Sequence, residues 1–230
     1  MHVTAIVPAA GEGNRFGGSV RKQFLALNGL PILSHTLRAL AASEALAAMI
    51  VVVPPGDESK GRDAVRAAGI RVETEVVSGG QERQDSVYNG LLRAKPDTDL
   101  VLIHDGVRPF VSRVMILAAI EAAEKWGAAI TAVPVTDTIK RVDTYNLILD
   151  TPERGQLWAA QTPQVFRYSL LMQAHRAARG DGIVATDDAA LIERIGVSVK
   201  VVKGSPENLK ITSEEDLPLA EVILRRRLPR

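Results

Sequence analysis

The sequence contains no cysteine among its 230 residues. Disulfides, zinc–thiolate sites and a thiol nucleophile are therefore excluded. Aromatic residues make up only 4%, so a core has to be built from Val, Ile, Leu and Ala. No apolar run approaches the roughly 20 residues that cross a bilayer. The N-terminus shows no basic region followed by a long apolar stretch, so no signal peptide is visible. The formal net charge of +1 is too close to neutral to argue for nucleic acid or a membrane surface as a partner. Repeats of fixed period and low-complexity tracts are also lacking. These absences leave a soluble cytoplasmic protein as the expectation.

What is present describes a packed α/β domain. Hydrophobic residues make up 46% and charged residues 24%, which suits a folded core rather than disorder. The length suits one large domain, and residues 1–230 are read as such. Apolar, strand-like runs recur at Val3–Val7, Ala48–Val53, Val72–Val77, Leu100–Ile103, Ala128–Val133 and Val197–Val202. Amphipathic segments at Ile32–Ala42, Glu58–Ala68, Gln81–Ala94 and Arg113–Trp126 separate most of them. That alternation predicts a Rossmann-like, mostly parallel sheet with helices on both faces. Ligands of such sheets bind beyond the carboxyl ends of the strands, where strand order reverses.

Three polar stretches fall at those ends. The first runs from Ile6 to Lys22 and carries Gly11, Gly13, Gly17 and Gly18 with Arg15, Arg21 and Lys22. Glycines let the backbone turn tightly and aim N–H groups outward, and rows of such groups bind phosphate. The spacing Gly11-x-Gly13-x-x-x-Gly17 matches neither the dinucleotide fingerprint nor the Walker A loop. The second, Ser78-Gly79-Gly80, opens a helix; Ser78 could cap it with Glu82 reaching back, and the glycines suit close approach of a flat ligand. In the third, Asp105 closes an apolar strand and is followed by Gly106-Val107-Arg108-Pro109. A hard oxygen ligand beside phosphates suits Mg²⁺; the alternative is a turn aspartate paired with Arg108. His104 should face away from the cleft and either belong to the core or support the site from behind, rather than act in catalysis.

From about residue 135 to 160 the pattern becomes β-rich. Thr136–Val142 alternates polar and apolar, Tyr145-Asn146 reads as a turn, and Leu147–Leu149 and Gln156–Ala159 read as short strands. Such an arm is too small to bury its own core and is expected to pack on another chain. Further on, Tyr168–Arg179 reads as a helix, Thr186-Asp187-Asp188 caps the next, and Arg225-Arg226-Arg227 reads as a solvated helix end.

In order along the chain, Pro8-Ala9-Ala10-Gly11-x-Gly13-x-Arg15, Lys22-Gln23, Gly79-Gly80-x-x-Arg83-x-Asp85-Ser86, His104-Asp105-x-x-Arg108-Pro109, Asp137-Thr138-x-Lys140, Gln161-Thr162-Pro163-Gln164, Thr186-Asp187-Asp188 and Asn208-x-Lys210-x-Thr212 resemble the sugar-phosphate nucleotidyltransferases. Within them the chain is most similar to the 2-C-methyl-D-erythritol 4-phosphate cytidylyltransferase family, from Val3 to about Leu224. The resemblance implies transfer of CMP from CTP to a sugar-alcohol phosphate, with Mg²⁺, in isoprenoid precursor biosynthesis. It implies Arg15 and Lys22 as transition-state stabilisers, and Arg154 and Lys210 as residues that position the acceptor. Ala9, Ala10, Gly11, Gly13, Gly79, Gly80 and Ser86 would hold the nucleotide. Arg108, Asp137, Thr138 and Thr186 would contact the acceptor, and Asp105 the metal. It also implies a homodimer with exchanged arms. The alternatives are a ribitol-5-phosphate cytidylyltransferase and, in a different class, a non-catalytic nucleotide-binding module.

Overall fold

The computed structural model describes residues 1–11 and 21–227. Gly13 and Arg15, both expected at the site, lie outside the described residues, as do Gly17 and Gly18. In chain order the elements are β1 (Val3–Pro8), β2 (Ala26–Leu27), β3 (Leu30–Pro31), α1 (Ile32–Ala41), β4 (Ala48–Val53), α2 (Glu58–Ala68), β5 (Glu73–Ser78), α3 (Arg83–Leu91), β6 (Leu100–Ile103), α4 (Arg113–Trp126), β7 (Ala128–Pro134), β8 (Arg141–Val142), β9 (Ile148–Asp150), β10 (Trp158–Arg167), α5 (Tyr168–Gly180), α6 (Asp188–Arg194), β11 (Lys200–Lys203) and α7 (Asp216–Arg227).

One sheet organises the molecule, in the order β11-β7-β10-β6-β1-β4-β5. All its pairings are parallel except those of β10, which runs antiparallel to both β6 and β7. Strand order proceeds from β1 through β4 to β5 and then reverses, so that β6 lies on the other side of β1. The binding crevice of an open α/β sheet belongs at that reversal.

Side-chain alternation explains why the strands read as continuous apolar runs. Val3, Ala5 and Val7 of β1 pack on one face with Leu33, Leu37 and Leu40 of α1, Ala64 of α2 and Ile116 of α4. Ile6 packs on the other face with Val87 and Leu91 of α3, Leu171 of α5 and Ile192 of α6. A strand buried on both faces has no polar side to show. Local signals fix the helix ends. Ser112 Oγ accepts from the Met115 N–H at the start of α4, and Gly127 ends it in the left-handed region at φ 84°. The terminal helix α7 closes a third cluster, in which Ala220 and Ile223 meet Val107, Phe110 and Ile211 beneath the site.

Several expectations need correction. Of the segment Gln156–Ala159, read as a short strand of the arm, only Trp158 and Ala159 are strand: they begin β10, a ten-residue strand in the middle of the sheet, while Gln156 ends a short helical turn that starts at Arg154. The register of β10 with β7 shifts between Ala160 and Gln164, so its polar residues break the apolar periodicity that marks the other strands. The expected strand Thr136–Val142 shrinks to Arg141–Val142, paired with Ile148–Asp150; residues 136–140 alternate in character but have no strand opposite among the described residues. Ser78 does not cap α3. Its hydroxyl bonds Glu58, while Glu82 and Asp85 form a reciprocal capping box. Arg227 is more than a solvated end: it donates to the Phe110 carbonyl (2.9 Å) and pairs with Glu207 (3.2 Å).

Candidate active site

The cleft is built where two loops leave neighbouring strands. After β1, the Ala9 N–H donates to the Val52 carbonyl at 2.7 Å; after β5, the Gly79 N–H donates to the Val53 carbonyl at 2.7 Å. Both loops are thus stitched to β4 and run side by side. A side chain at Gly79 would place Cβ 2.6 Å from Ala10 Cβ and 2.7 Å from Ser86 Oγ, so only glycine permits this approach. The Gly80 N–H donates to Ser86 Oγ at 3.2 Å, and that hydroxyl donates to the Glu82 carbonyl at 3.2 Å. Gln23, buried, fastens the loop after β1 from below by donating to the Ala9 carbonyl at 2.6 Å.

These loops enclose a cleft with about 650 Å³ of open space, lined by Ala9, Ala10, Gly11, Lys22, Gly80, Ser86, Asp105 and Lys210, together with Arg83. Gly79 is buried behind this lining. A second lobe shares Arg83, Asp105 and Lys210 and adds Arg108, Gln161, Gln164 and Thr186. The structure therefore brings Ala9, Ala10, Gly11, Lys22, Gly80, Ser86, Asp105, Arg108, Thr186 and Lys210 together from distant parts of the chain. Asp137, Thr138 and Arg154 do not line either lobe; they lie on the arm, where Arg154 donates to the Thr136 carbonyl at 2.8 Å.

Asp105 is the electrostatic centre. Its carboxylate is buried and faces Lys210 Nζ at 3.0 Å, Arg108 Nε at 3.3 Å and Arg83 Nε at 3.4 Å. Burial alone would raise this carboxyl, but the Arg83, Lys210 and Arg108 charges outweigh it and hold it well below the usual carboxylate range. The excess of cations over carboxylate makes the floor of the cleft a receptor for a polyanion.

Behind Asp105 lies a polar network that orients it. The Asp105 N–H donates to Thr162 Oγ1 at 3.1 Å, and the same hydroxyl meets His104 Nδ1 at 3.0 Å. His104 Nε2 meets the Arg108 carbonyl at 3.0 Å. The arrangement assigns a neutral imidazole that donates through Nε2 and accepts through Nδ1. Burial pushes His104 down to about 4, in agreement with that form. As the sequence indicated, His104 is a core residue. Arg108 also donates to the Asn208 carbonyl at 2.8 Å, and Asn208 Nδ2 donates to the Thr162 carbonyl at 2.7 Å. The loop carrying Lys210 is thereby tied to the segment that follows β6 and to the middle of β10.

Sequence reasoning assigns no role to Arg83, Thr162 or Gln164, and to Asp187 and Asp188 only a place in a helix cap, although each stands within a quoted motif. Asp187, not Thr186, caps α6, accepting from the Ala190 N–H at 3.0 Å; Thr186 is left facing the second lobe. Polar residues inside an otherwise apolar strand, as in Gln161-Thr162-Pro163-Gln164, were the available signal.

Among the described residues, no three His, Cys, Asp or Glu side chains converge as a metal cage. A single carboxylate plus ligand phosphates is, however, the donor set Mg²⁺ ordinarily uses. Both Asp105 oxygens already face cations, so the site fits a divalent ion only together with an anionic ligand that supplies the balancing charge.

Comparison with known proteins agrees with this architecture. A family model described as 2-C-methyl-D-erythritol 4-phosphate cytidylyltransferase matches residues 3–226. The protein of that name from Pelotomaculum thermopropionicum is 50% identical over 226 residues, covering 98% of this chain and 95% of its own. The one from Bacillus cytotoxicus is 47% identical over 221 residues, covering 96% and 97%. Among solved structures, 4-diphosphocytidyl-2C-methyl-D-erythritol synthase from Anaerococcus prevotii superposes with a TM-score of 0.87 at 32% identity, covering 98% and 99% of the two chains. The Thermus thermophilus cytidylyltransferase gives 0.81 at 36%, covering 98% and 100%. With sequence matched from end to end, the same fold, and a cationic cleft at the sheet's reversal point, the chain belongs to the 2-C-methyl-D-erythritol 4-phosphate cytidylyltransferase family.

Proposed function

We propose that this chain is a cytoplasmic enzyme that transfers CMP from CTP to 2-C-methyl-D-erythritol 4-phosphate, giving the CDP-alcohol and pyrophosphate. The observation that carries the reading is the Asp105 cluster: one buried carboxylate ringed by Arg83, Arg108 and Lys210 at the junction of two lobes. The lobe between the glycine loops takes the nucleotide. The lobe with Arg108 and Thr186 takes the acceptor.

A phosphate monoester is already an anionic nucleophile at neutral pH, so no general base is needed. An acceptor phosphate oxygen forms a bond to the α-phosphorus while the bond to the pyrophosphate oxygen breaks. The barrier is repulsion between two polyanions and charge growth in transit, which positioned cations offset. Lys22, with Arg15, stabilises the triphosphate, and Lys210 and Arg108 hold the acceptor phosphate in line. Asp105 and the substrate phosphates would hold Mg²⁺, which when bound would supply further charge neutralisation.

Arg154 completes the acceptor site of a second copy in a homodimer with exchanged arms. What supports this is the arm itself: Tyr145, Leu147, Ile148 and Leu149 are each at least 60% exposed on a two-stranded hairpin that cannot be stable alone. Pyrophosphate release with CTP, measured against methylerythritol phosphate and ribitol 5-phosphate, tests the reading. Turnover of the former supports it; turnover of ribitol 5-phosphate alone would overturn it in favour of the sister activity. CTP binding without turnover of either would indicate a nucleotide-binding module.

A further inference from the structure

A chain of buried polar groups leads away from the cleft, and the mechanism above does not use it. Arg83, in the first turn of α3, donates through Nη1 to Asp188 Oδ2 at 2.7 Å while its Nε faces Asp105 at 3.4 Å. The other Asp188 oxygen, Oδ1, meets His175 Nε2 at 3.0 Å. The Asp188 and His175 side chains are at most 1% exposed, whereas Arg83 keeps 29% and lines both lobes of the cleft. Among the described residues, His175 Nδ1 has no hydrogen-bond partner. The imidazole is therefore read as the tautomer that donates through Nε2 to Asp188 and leaves a bare lone pair on the orphaned side. Its ring stacks on Tyr88 with centroids 6.0 Å apart, which fixes its plane.

Fold stability does not account for this arrangement. A buried ion pair is weak evidence of stabilisation, because well-packed apolar residues often do as well. A cation in the first turn of a helix also opposes the helix dipole. What the chain does achieve is geometric. Held by Asp105 alone, the Arg83 guanidinium could swing fully onto that carboxylate; pulled by Asp188 from the opposite side, it stays between the two lobes. Burial would lower the Arg83 pKa, but Asp188 and Asp105 together hold it above the usual range, so it is a permanent cation there.

We propose that Asp188, oriented by His175, is a positioning residue that holds Arg83 at the junction of the lobes, where Arg83 binds the nucleotide phosphates. The inference rests on the cytidylyltransferase reading. It extends the phosphate-binding set to Arg83 and gives α5 and α6 a part in substrate binding.

The test is calorimetric titration of the full-length protein with CTP, in the wild type, Asp188→Asn, Arg83→Gln and the double variant, with unfolding midpoints recorded for each. Asp188→Asn should raise the Kd for CTP by about tenfold, the scale of one charge-assisted hydrogen bond, at an unchanged number of sites per chain. Loss of folded protein would instead lower the number of sites and leave Kd alone. In the Arg83→Gln background, Asp188→Asn should change Kd by less than about twofold, because its effect acts through Arg83. His175→Phe, which keeps the ring beside Tyr88 but removes the donor, should raise Kd in the same direction by less, and serves where Asp188→Asn folds poorly. An unchanged Kd in both Asp188→Asn and His175→Phe would overturn the proposal, and so would an equal loss with and without Arg83. A wild type that binds no CTP would overturn the cytidylyltransferase reading itself, and this inference with it.

Discussion

Replacing Asp105 with Asn removes one charge from the centre of the site and leaves its shape. Breaking a buried ion pair from one side costs roughly 3–5 kcal/mol, because the partner charge stays buried without compensation. The structure places this case at the lower end. Lys210 is 40% exposed and can turn to solvent, and Arg83 keeps Asp188. Arg108, 11% exposed, is left with only the Asn208 carbonyl among the described residues. A loss of about 3 kcal/mol corresponds to a fall in Tm of roughly 6–12 °C for a chain of this size. The assay is thermal unfolding from pH 8 to pH 3. The folded Asp105 carboxyl lies below its unfolded value, so its contribution is complete above about pH 4 and disappears as pH falls through the lower folded value. The gap between wild type and variant should therefore be constant at neutral pH and narrow progressively below about pH 4. CTP in chelator, which brings negative charge to the same cations, should raise the midpoint of the variant more than that of the wild type. A neutral-pH difference under about 2 °C, less than 1 kcal/mol on that scale, would refute the claim that the cations depend on this carboxylate.

Further expectations follow from the same site. Asp105→Asn should also abolish productive use of Mg²⁺, and near-normal activity with unchanged metal dependence would reduce Asp105 to a turn residue. Lys22→Ala should lower kcat by about 10²–10³ while affecting CTP binding far less; equal kcat with raised KM would show uniform ground-state binding instead. The unfolded form of His104 binds a proton near pH 6.5 and the folded form only near 4, so wild-type stability should decline as pH falls between those values. His104→Gln should flatten that window, and an unchanged slope would place its origin elsewhere. Mixing inactive Lys22→Ala and Arg154→Ala proteins after verified subunit exchange should restore about a quarter of wild-type sites, since about half the dimers are mixed and each mixed dimer has one intact site. No recovery would return Arg154 to the cleft of its own chain.

The parallel part of the fold was legible because its strands are buried on both faces. Val3–Val7, Ala48–Val53 and Leu100–Ile103 carry almost nothing but apolar side chains, and such runs between amphipathic helices admit few other arrangements. The glycine loops and the aspartate at the end of β6 were legible for a related reason: polar residues at the end of a buried strand have to be at the crevice. The central antiparallel strand was not. Gln161, Thr162 and Gln164 of β10 interrupt its periodicity because they turn to the cleft and its supporting network, so the same residues that build the site hid the strand that carries them. The cap of α3 was assigned to Ser78 with Glu82 reaching back, and that of α6 to Thr186-Asp187-Asp188 as a group, because Ser, Thr and Asp can each supply an N-cap oxygen. Only the packing of α2 and the second lobe decided which oxygen reached a helix N-terminus. The partners of Asp105 were equally out of reach of local reasoning. Arg83, Arg108 and Lys210 lie on three segments separated by up to 127 residues (83 to 210), and Asp188 and His175 belong to two further helices. Local sequence determined which residues had to sit at strand ends. Which charges meet there is a property of the sheet order, because only the reversal of strands around β1 brings those segments within hydrogen-bonding distance.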